Sequence, residues 1–153
     1  MKAEYINSFY NASKDVFKLM LDLEVKRGEV AVVEGLTPSK DANIILGITG
    51  DFKGTVSFSF TEEMAFEIVR IMSGMEMDEI DVFVSSALGE VTNIISGHAT
   101  TNLSEHGYIC DITPPQVMVG EYKSISMANE KALIMPMETN IGEFEVAVFV
   151  PTK

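Results

Sequence analysis

Hydrophobic positions recur along this chain with two periods, one helical and one alternating, and the elements change where the period changes. In residues 2–22, Ile6, Phe9, Val16 and Met20 recur at helical spacing, with Leu23 continuing the row, while Lys2, Lys14, Asp15 and Lys18 fall elsewhere. That pattern predicts a first amphipathic helix. The period then shortens. Residues 29–36 predict a strand, broken at Thr37-Pro38-Ser39, where a proline among polar neighbours marks a turn. Residues 43–49 and 55–60 predict paired strands around the loop Gly50-Asp51-Phe52-Lys53-Gly54. The second of them, Thr-Val-Ser-Phe-Ser-Phe, alternates cleanly, so one of its faces is buried and the other is polar. Thr61 is placed as a helix N-cap, with Glu62 and Glu63 in the first turn, where the helix dipole favours carboxylates. Met64, Ile68, Ile71 and Met72 complete that short helix, which ends near Gly74.

Residues 82–107, VFVSSALGEVTNIISGHATTNLSEHG, predict a single long helix. Val84, Leu88, Val91, Ile95 and Ala99 form an apolar stripe fit for burial. The opposite side carries Ser86, Glu90, Asn93, Gly97, Thr101 and Ser104. Glu90 and Asn93 stand at i and i+3, which makes them neighbours on the helix surface. Asp78 and Glu79 lie upstream, where the helix N-terminus favours negative charge, and Gly107 is placed as a left-handed C-cap. Between Asp81 and Ser104 the only charged side chain is Glu90, whereas a solvated helix face ordinarily carries several charges. Ser86, Gly89, Ser96, Gly97 and Thr100 leave the backbone thinly covered. Two readings follow: a neighbouring element packs closely against the small residues, or Glu90 and Asn93 project from a bare, rigid helix into the site of a partner.

Beyond Gly107, residues 108–113 and 116–119 predict strand pieces interrupted by Pro114-Pro115, and residues 120–129 predict a polar connection. Residues 132–137 and 144–150 predict the last strands, joined through Asn140, Ile141 and Gly142. Pro136 implies that the first of these two ends at a sheet edge, because proline cannot donate to a ladder. The fold class is therefore α+β: a mostly antiparallel sheet of about six strands packed with two long helices and one short helix. The chain is expected to form one domain, residues 1–153, with the first and third helices backing the sheet and the Glu90–Asn93 face left open.

Composition narrows the function. A chain of 153 residues with 46% hydrophobic content buries roughly 70% of its unfolded surface, so it needs neither disulfides nor metals to hold a core. A single cysteine, Cys110, excludes an intramolecular disulfide and argues against a cysteine metal site. The N-terminus has no apolar signal region, and no run reaches the ~18 apolar residues of a membrane span. A cytoplasmic protein with no membrane association is expected. The net charge of −12 provides no basic footprint for DNA or RNA.

Candidate chemistry is sparse. His98 lies on the flank of the apolar stripe and is expected to pack in the core, and His106 sits at the helix end, where a partial positive charge is favoured. No serine stands in a nucleophile elbow, and there is no HExxH or cysteine cluster, so nucleophilic and zinc mechanisms are disfavoured. The loop at Gly50 lacks a following Gly-Lys-Ser/Thr and lies between strands, which makes it a hairpin and not a phosphate loop. Met64, Met72, Met75 and Met77 are expected to fill the core. Glu4 and Asn7 repeat the Glu-x-x-Asn spacing, as the trace of an old duplication or by chance. No residue precedes Glu4 at the position of Ser86, so we read the pair as structural. What remains is Ser86-x-x-x-Glu90-x-x-Asn93. A carboxamide accepts and donates hydrogen bonds at once, and orienting an attacking water is a role such side chains play in phosphoryl transfer. That chemistry is mostly positioning and charge stabilisation.

Ser-x-x-x-Glu-x-x-Asn on a long helix, followed about twenty residues later by proline, is similar to the signature of the CheC/CheX/FliY phosphatases. The stretch SALGEVTNIISGHATTNLSEHGYICDITPPQVMVG resembles the CheX branch, with its Asp-Ile-Thr-Pro-Pro segment at Asp111–Pro115. The GITG and GTVSFSF strands and the order of elements fit along nearly the whole chain. The resemblance implies a CheC-like fold and hydrolysis of the phosphoryl-aspartate of a CheY-type response regulator. By motif position, Glu90 would pair with the regulator's lysine and Asn93 would enter its site to align water with the phosphorus. Ser86 would make a minor substrate contact, with Gly97 also on the substrate-binding face. The family's proline corresponds to Pro114 or Pro115. The resemblance implies no cofactor of the chain's own, since Mg²⁺ would be held by the regulator, and a homodimer assembled through the sheet. Related proteins carry two such motifs, and one is intact here, as in CheX. The rival readings are a non-catalytic dimeric module that binds a receiver domain or a flagellar or signalling partner, and a purely structural polar stripe buried in a dimer.

Overall fold

A computed structural model of the protein describes residues 3–38, 40–120 and 124–151. In chain order the elements are α1 (Ala3–Leu21), β1 (Lys26–Arg27), β2 (Ala31–Pro38), β3 (Ala42–Gly50), β4 (Gly54–Phe60), α2 (Glu62–Ser73), α3 (Val82–Glu105), β5 (Cys110–Ile112), β6 (Gln116–Val119), β7 (Ser124–Thr139) and β8 (Gly142–Pro151). The strands form one sheet in the order β1-β7-β8-β4-β3-β5, with β2 also paired to β7 and β6 to β3. Each ladder is antiparallel. The α+β class with two long helices and a short one is as expected. The sheet has eight strands because the pieces flanking Pro114-Pro115 pair separately with β3 and because the short β1 joins the edge of β7.

The core follows from the two periods. On the sheet, Ile44, Leu46 and Ile48 of β3 stand on the same face as Val56, Phe58 and Phe60 of β4 and Phe144, Val146 and Val148 of β8. Phe9, Val16 and Phe17 of α1 and the whole Val84–Leu88–Val91–Ile95–Ala99 stripe of α3 pack on that face, and all of them are fully buried. Removing one such side chain, as in Leu88→Ala, typically costs about 2–5 kcal/mol, so the stripe holds α3 firmly against the sheet. Phe17 and Phe60 both stack on Phe144, with ring centroids at 4.8 and 5.3 Å. The other face of β4 is polar as expected, but it is buried as well: Ser57 and Ser59 point away from the helices and are out of solvent, and the Ser59 hydroxyl donates to Asn43 Oδ1 at 2.7 Å.

The helix ends are where the side chains place them. Thr61 caps α2 by accepting from the Met64 N–H at 3.2 Å, and Gly74 ends it in the left-handed region at φ 76°. The hairpin loop at Gly50 is clamped to the strand beyond α3. The Asp51 N–H donates to the Ile109 carbonyl at 2.9 Å, and Asp51 Oδ2 accepts from the Ile109 N–H at 2.8 Å. Gly50 has φ 105°, and a Cβ there would lie 2.4 Å from the Ile109 carbonyl oxygen, so glycine alone fits.

Three expectations need correction. The polar connection at 120–129 is largely strand, because β7 begins at Ser124 and pairs with β2 from Pro38 back to Ala31, with a register shift between Glu34 and Leu36. Residues 121–123 lie outside the described residues, as does Ser39 of the expected turn. β2 itself runs on through Thr37 and Pro38, so the break falls later than the proline suggested. Nor does β7 end at Pro136. It continues to Thr139, because the Pro136 carbonyl accepts from the Gly28 N–H at 2.8 Å. A strand residue's N–H and C=O point the same way, so the missing donor faces the gap between β1 and β2, where no ladder bond is required.

Candidate functional site

The candidate site grows from the N-terminal half of α3. Asp81, and not the upstream acids, is its N-cap: Asp81 Oδ1 accepts from the Val84 N–H at 3.0 Å, a contact worth about 1 kcal/mol. At the other end Gly107 has φ 89°, and the Tyr108 N–H reaches back to the Leu103 carbonyl at 3.0 Å, the left-handed ending its position predicted. Between these caps the helix divides in two. Gly89, Thr92 and Ser96 are buried beside the apolar stripe, while Ser86, Glu90, Asn93, Thr101 and Ser104 are exposed and Gly97 is half-exposed. The close packing expected of the small residues therefore holds on the buried face, and the Glu90–Asn93 face is left open to solvent. The small buried residues let neighbours come close; Gly89 lies under Pro115 and Val117, with room for a Cβ at 3.8 and 3.9 Å.

A wide cleft of about 690 Å³ opens along this helix. Ser86, Gly89, Glu90 and Asn93 form one wall, Ile80, Asp81 and Val82 its upper end, and Pro115 and Val117 the facing side. The facing side is held by a backbone-to-side-chain exchange across the sheet. The Thr113 N–H donates to the Gly47 carbonyl at 2.9 Å, and the Gly47 N–H donates to Thr113 Oγ1 at 2.8 Å. Sequence spacing could not have paired Gly47 with Thr113, since the contact joins positions 66 residues apart. Of the two prolines, Pro115 lines the cleft, whereas Pro114 does not.

Among the described residues, neither Glu90 nor Asn93 makes a side-chain hydrogen bond or ion pair. The polar stripe is thus open to solvent in this chain, and no cation among the described residues neutralises its lone carboxylate. Gly97 continues the same face one turn beyond Asn93 but stays outside the cleft. No cluster of three or more His, Cys, Asp or Glu side chains suited to a metal ion occurs among the described residues. No described helix is long and apolar enough to cross a membrane. His98 is exposed, contrary to expectation. The buried arc of α3 is displaced toward Gly89, Thr92 and Ser96, because small residues admit neighbours there, and this leaves His98 outside the opposite margin. His106 is exposed as well, with Nδ1 3.0 Å from the Asn102 carbonyl. The methionines divide: Met64 is buried, but Met72 and Met75 are exposed.

Residues 43–138 match the family described as Chemotaxis phosphatase CheX. A CheY-P phosphatase CheX from Thermotoga maritima is 31% identical over 121 residues, which cover 78% of each chain. Among solved structures, a chemotaxis protein CheX from Desulfovibrio desulfuricans superposes with a TM-score of 0.85 at 32% identity, over 95% of this chain and 97% of that one. A chain of the CheX-CheY-BeF3-Mg+2 complex from Borrelia burgdorferi superposes with a TM-score of 0.79 at 30% identity, again over 95% of this chain and 97% of that one. With the open Glu90–Asn93 face on one long helix, a match of this extent leads to one conclusion: the chain belongs to the chemotaxis phosphatase CheX family.

Proposed function

We propose that this protein hydrolyses the phosphoryl-aspartate of a CheY-type response regulator, with α3 entering the regulator's own active site. The observation that carries the proposal is the pair Glu90 and Asn93: exposed, without partners among the described residues, and side by side at the edge of an open cleft. Asn93 Oδ1 accepts a hydrogen bond from a water and turns its lone pair toward the phosphorus. The water oxygen bonds to phosphorus as the bond from phosphorus to the aspartyl oxygen breaks. The aspartate leaves as carboxylate with that electron pair, and the water's proton goes to the released phosphate. The chain supplies position, while the regulator supplies the Mg²⁺ and the lysine.

Glu90 pairs with that lysine and anchors the docked helix, in keeping with its being the one charge on this stretch of α3. Ser86 and Gly97 complete the substrate-binding face, where short side chains allow close approach. A homodimer assembled through the sheet is part of the same proposal, checked by sedimentation of the free protein. The decisive experiment incubates the protein with a panel of phosphorylated receiver domains and follows phosphate release with and without Asn93. Stimulated release that disappears in Asn93→Ala is the expected result. Binding without release by the unaltered protein would instead establish the non-catalytic module.

A further inference from the structure

α3 is flanked on its other side by a second, smaller groove of about 310 Å³, formed where α2 meets α3. Val69 and Met72 of α2 face Phe83 and Ala87 of α3 across it, and its rim includes Ser86 and Glu90, which also border the larger cleft. The lining is almost wholly apolar. Met72 is 37% exposed and Phe83 44% exposed, so two large apolar side chains meet solvent on facing walls of the same groove. The chain leaves the groove at Ser73 and returns to it at Phe83, and the connection between carries exposed Glu76, Asp78 and Glu79.

We infer that the Met72–Phe83 groove is a second docking contact for the same receiver domain, taking an exposed apolar side chain flanked by basic residues beside the receiver's phosphorylation pocket. The inference rests on the proposed function, because it is the shared Ser86–Glu90 rim that makes the groove continuous with the proposed receiver interface. Geometry favours this occupant. A body that straddles the Ser86–Glu90–Asn93 ridge to receive Asn93 necessarily overhangs both flanks of α3, and the α2 side is the apolar one. Aromatic and methionine side chains suit the task, since they offer large contact area and, for methionine, adaptable shape. The acidic connection favours a basic partner surface. The groove would thereby select among receivers, while Asn93 performs the chemistry on whichever one docks.

The test measures phosphate release against receiver concentration for Met72→Ser and Phe83→Ser, with binding to a beryllofluoride-activated receiver measured in parallel. Both side chains are surface groups, and circular dichroism verifies that the variants are folded. The expected result is a rise in KM and in Kd of about tenfold for Phe83→Ser, with kcat at saturating receiver retained and binding weakened by added salt. Unchanged KM and Kd in both variants, alongside loss of release in Asn93→Ala, would overturn the groove and leave the proposed function standing. Full release by Asn93→Ala would instead overturn the proposed function itself. A shift in sedimentation with no change in Kd would assign the groove to contact between copies of this chain and likewise overturn the inference.

Discussion

The same Glu-x-x-Asn spacing occurs on two helices of this molecule and comes to different ends. On α1, Arg27 Nη1 donates to Asn7 Oδ1 at 3.2 Å, and the same guanidinium lies 5.3 Å from the Tyr10 ring centre. Asn7 and Glu4 border only a small pocket of about 260 Å³ with Asn102, Glu105 and His106. On α3, Glu90 and Asn93 have no such partner among the described residues and border the large cleft. A carboxamide oxygen already engaged by a cation is poorly placed to aim a water. The spacing therefore identifies a pair of neighbours, and the surroundings decide whether the pair is a site.

Four substitutions break or sharpen that contrast. Asn93→Ala is expected to lower receiver-stimulated phosphate release by about a hundredfold or more, the usual scale for removing a positioned polar group at a reacting centre, while the melting temperature and receiver binding are largely kept. Glu90→Ala is expected to weaken receiver binding by about tenfold or more as its charge partner is lost, read as a rise in Kd for a beryllofluoride-activated receiver. Gly97→Ala is expected to act in two directions. A Cβ there meets nothing within 4 Å, so the exchange adds stability of about 0.5–1 kcal/mol in the helix interior, seen in denaturant melts, while crowding the docking face and raising Kd severalfold. Asn7→Ala has the smallest expected effect. Phosphate release stays at the unaltered rate, and a large loss of activity would mean that α1 contributes a second working site.

Much of this could be read from residues alone. The α3 stripe was legible because five apolar residues at helical spacing have one way to leave water, and all five are buried. Thr61, Gly74 and Gly107 were legible because caps act through local bonds. The expectations that failed depended on neighbours. β7 was obscured by Pro136, whose lost donor is harmless only because β1 and β2 separate opposite it. His98 is exposed because the position of the buried arc is set by what packs on Gly89, Thr92 and Ser96, and not by helical period alone.

The sequence by itself determined which residues share a face of α3, because helix geometry converts spacing into direction without reference to anything else. It determined, too, that Glu90 and Asn93 were the chemically versatile members of that face. Only the tertiary structure decided that Asn93 has no partner among the described residues while Asn7 is held by Arg27, and that Pro115 rather than Pro114 faces the cleft. Those outcomes depend on which distant segments meet, and contacts between residues far apart in the chain leave no trace in local periodicity.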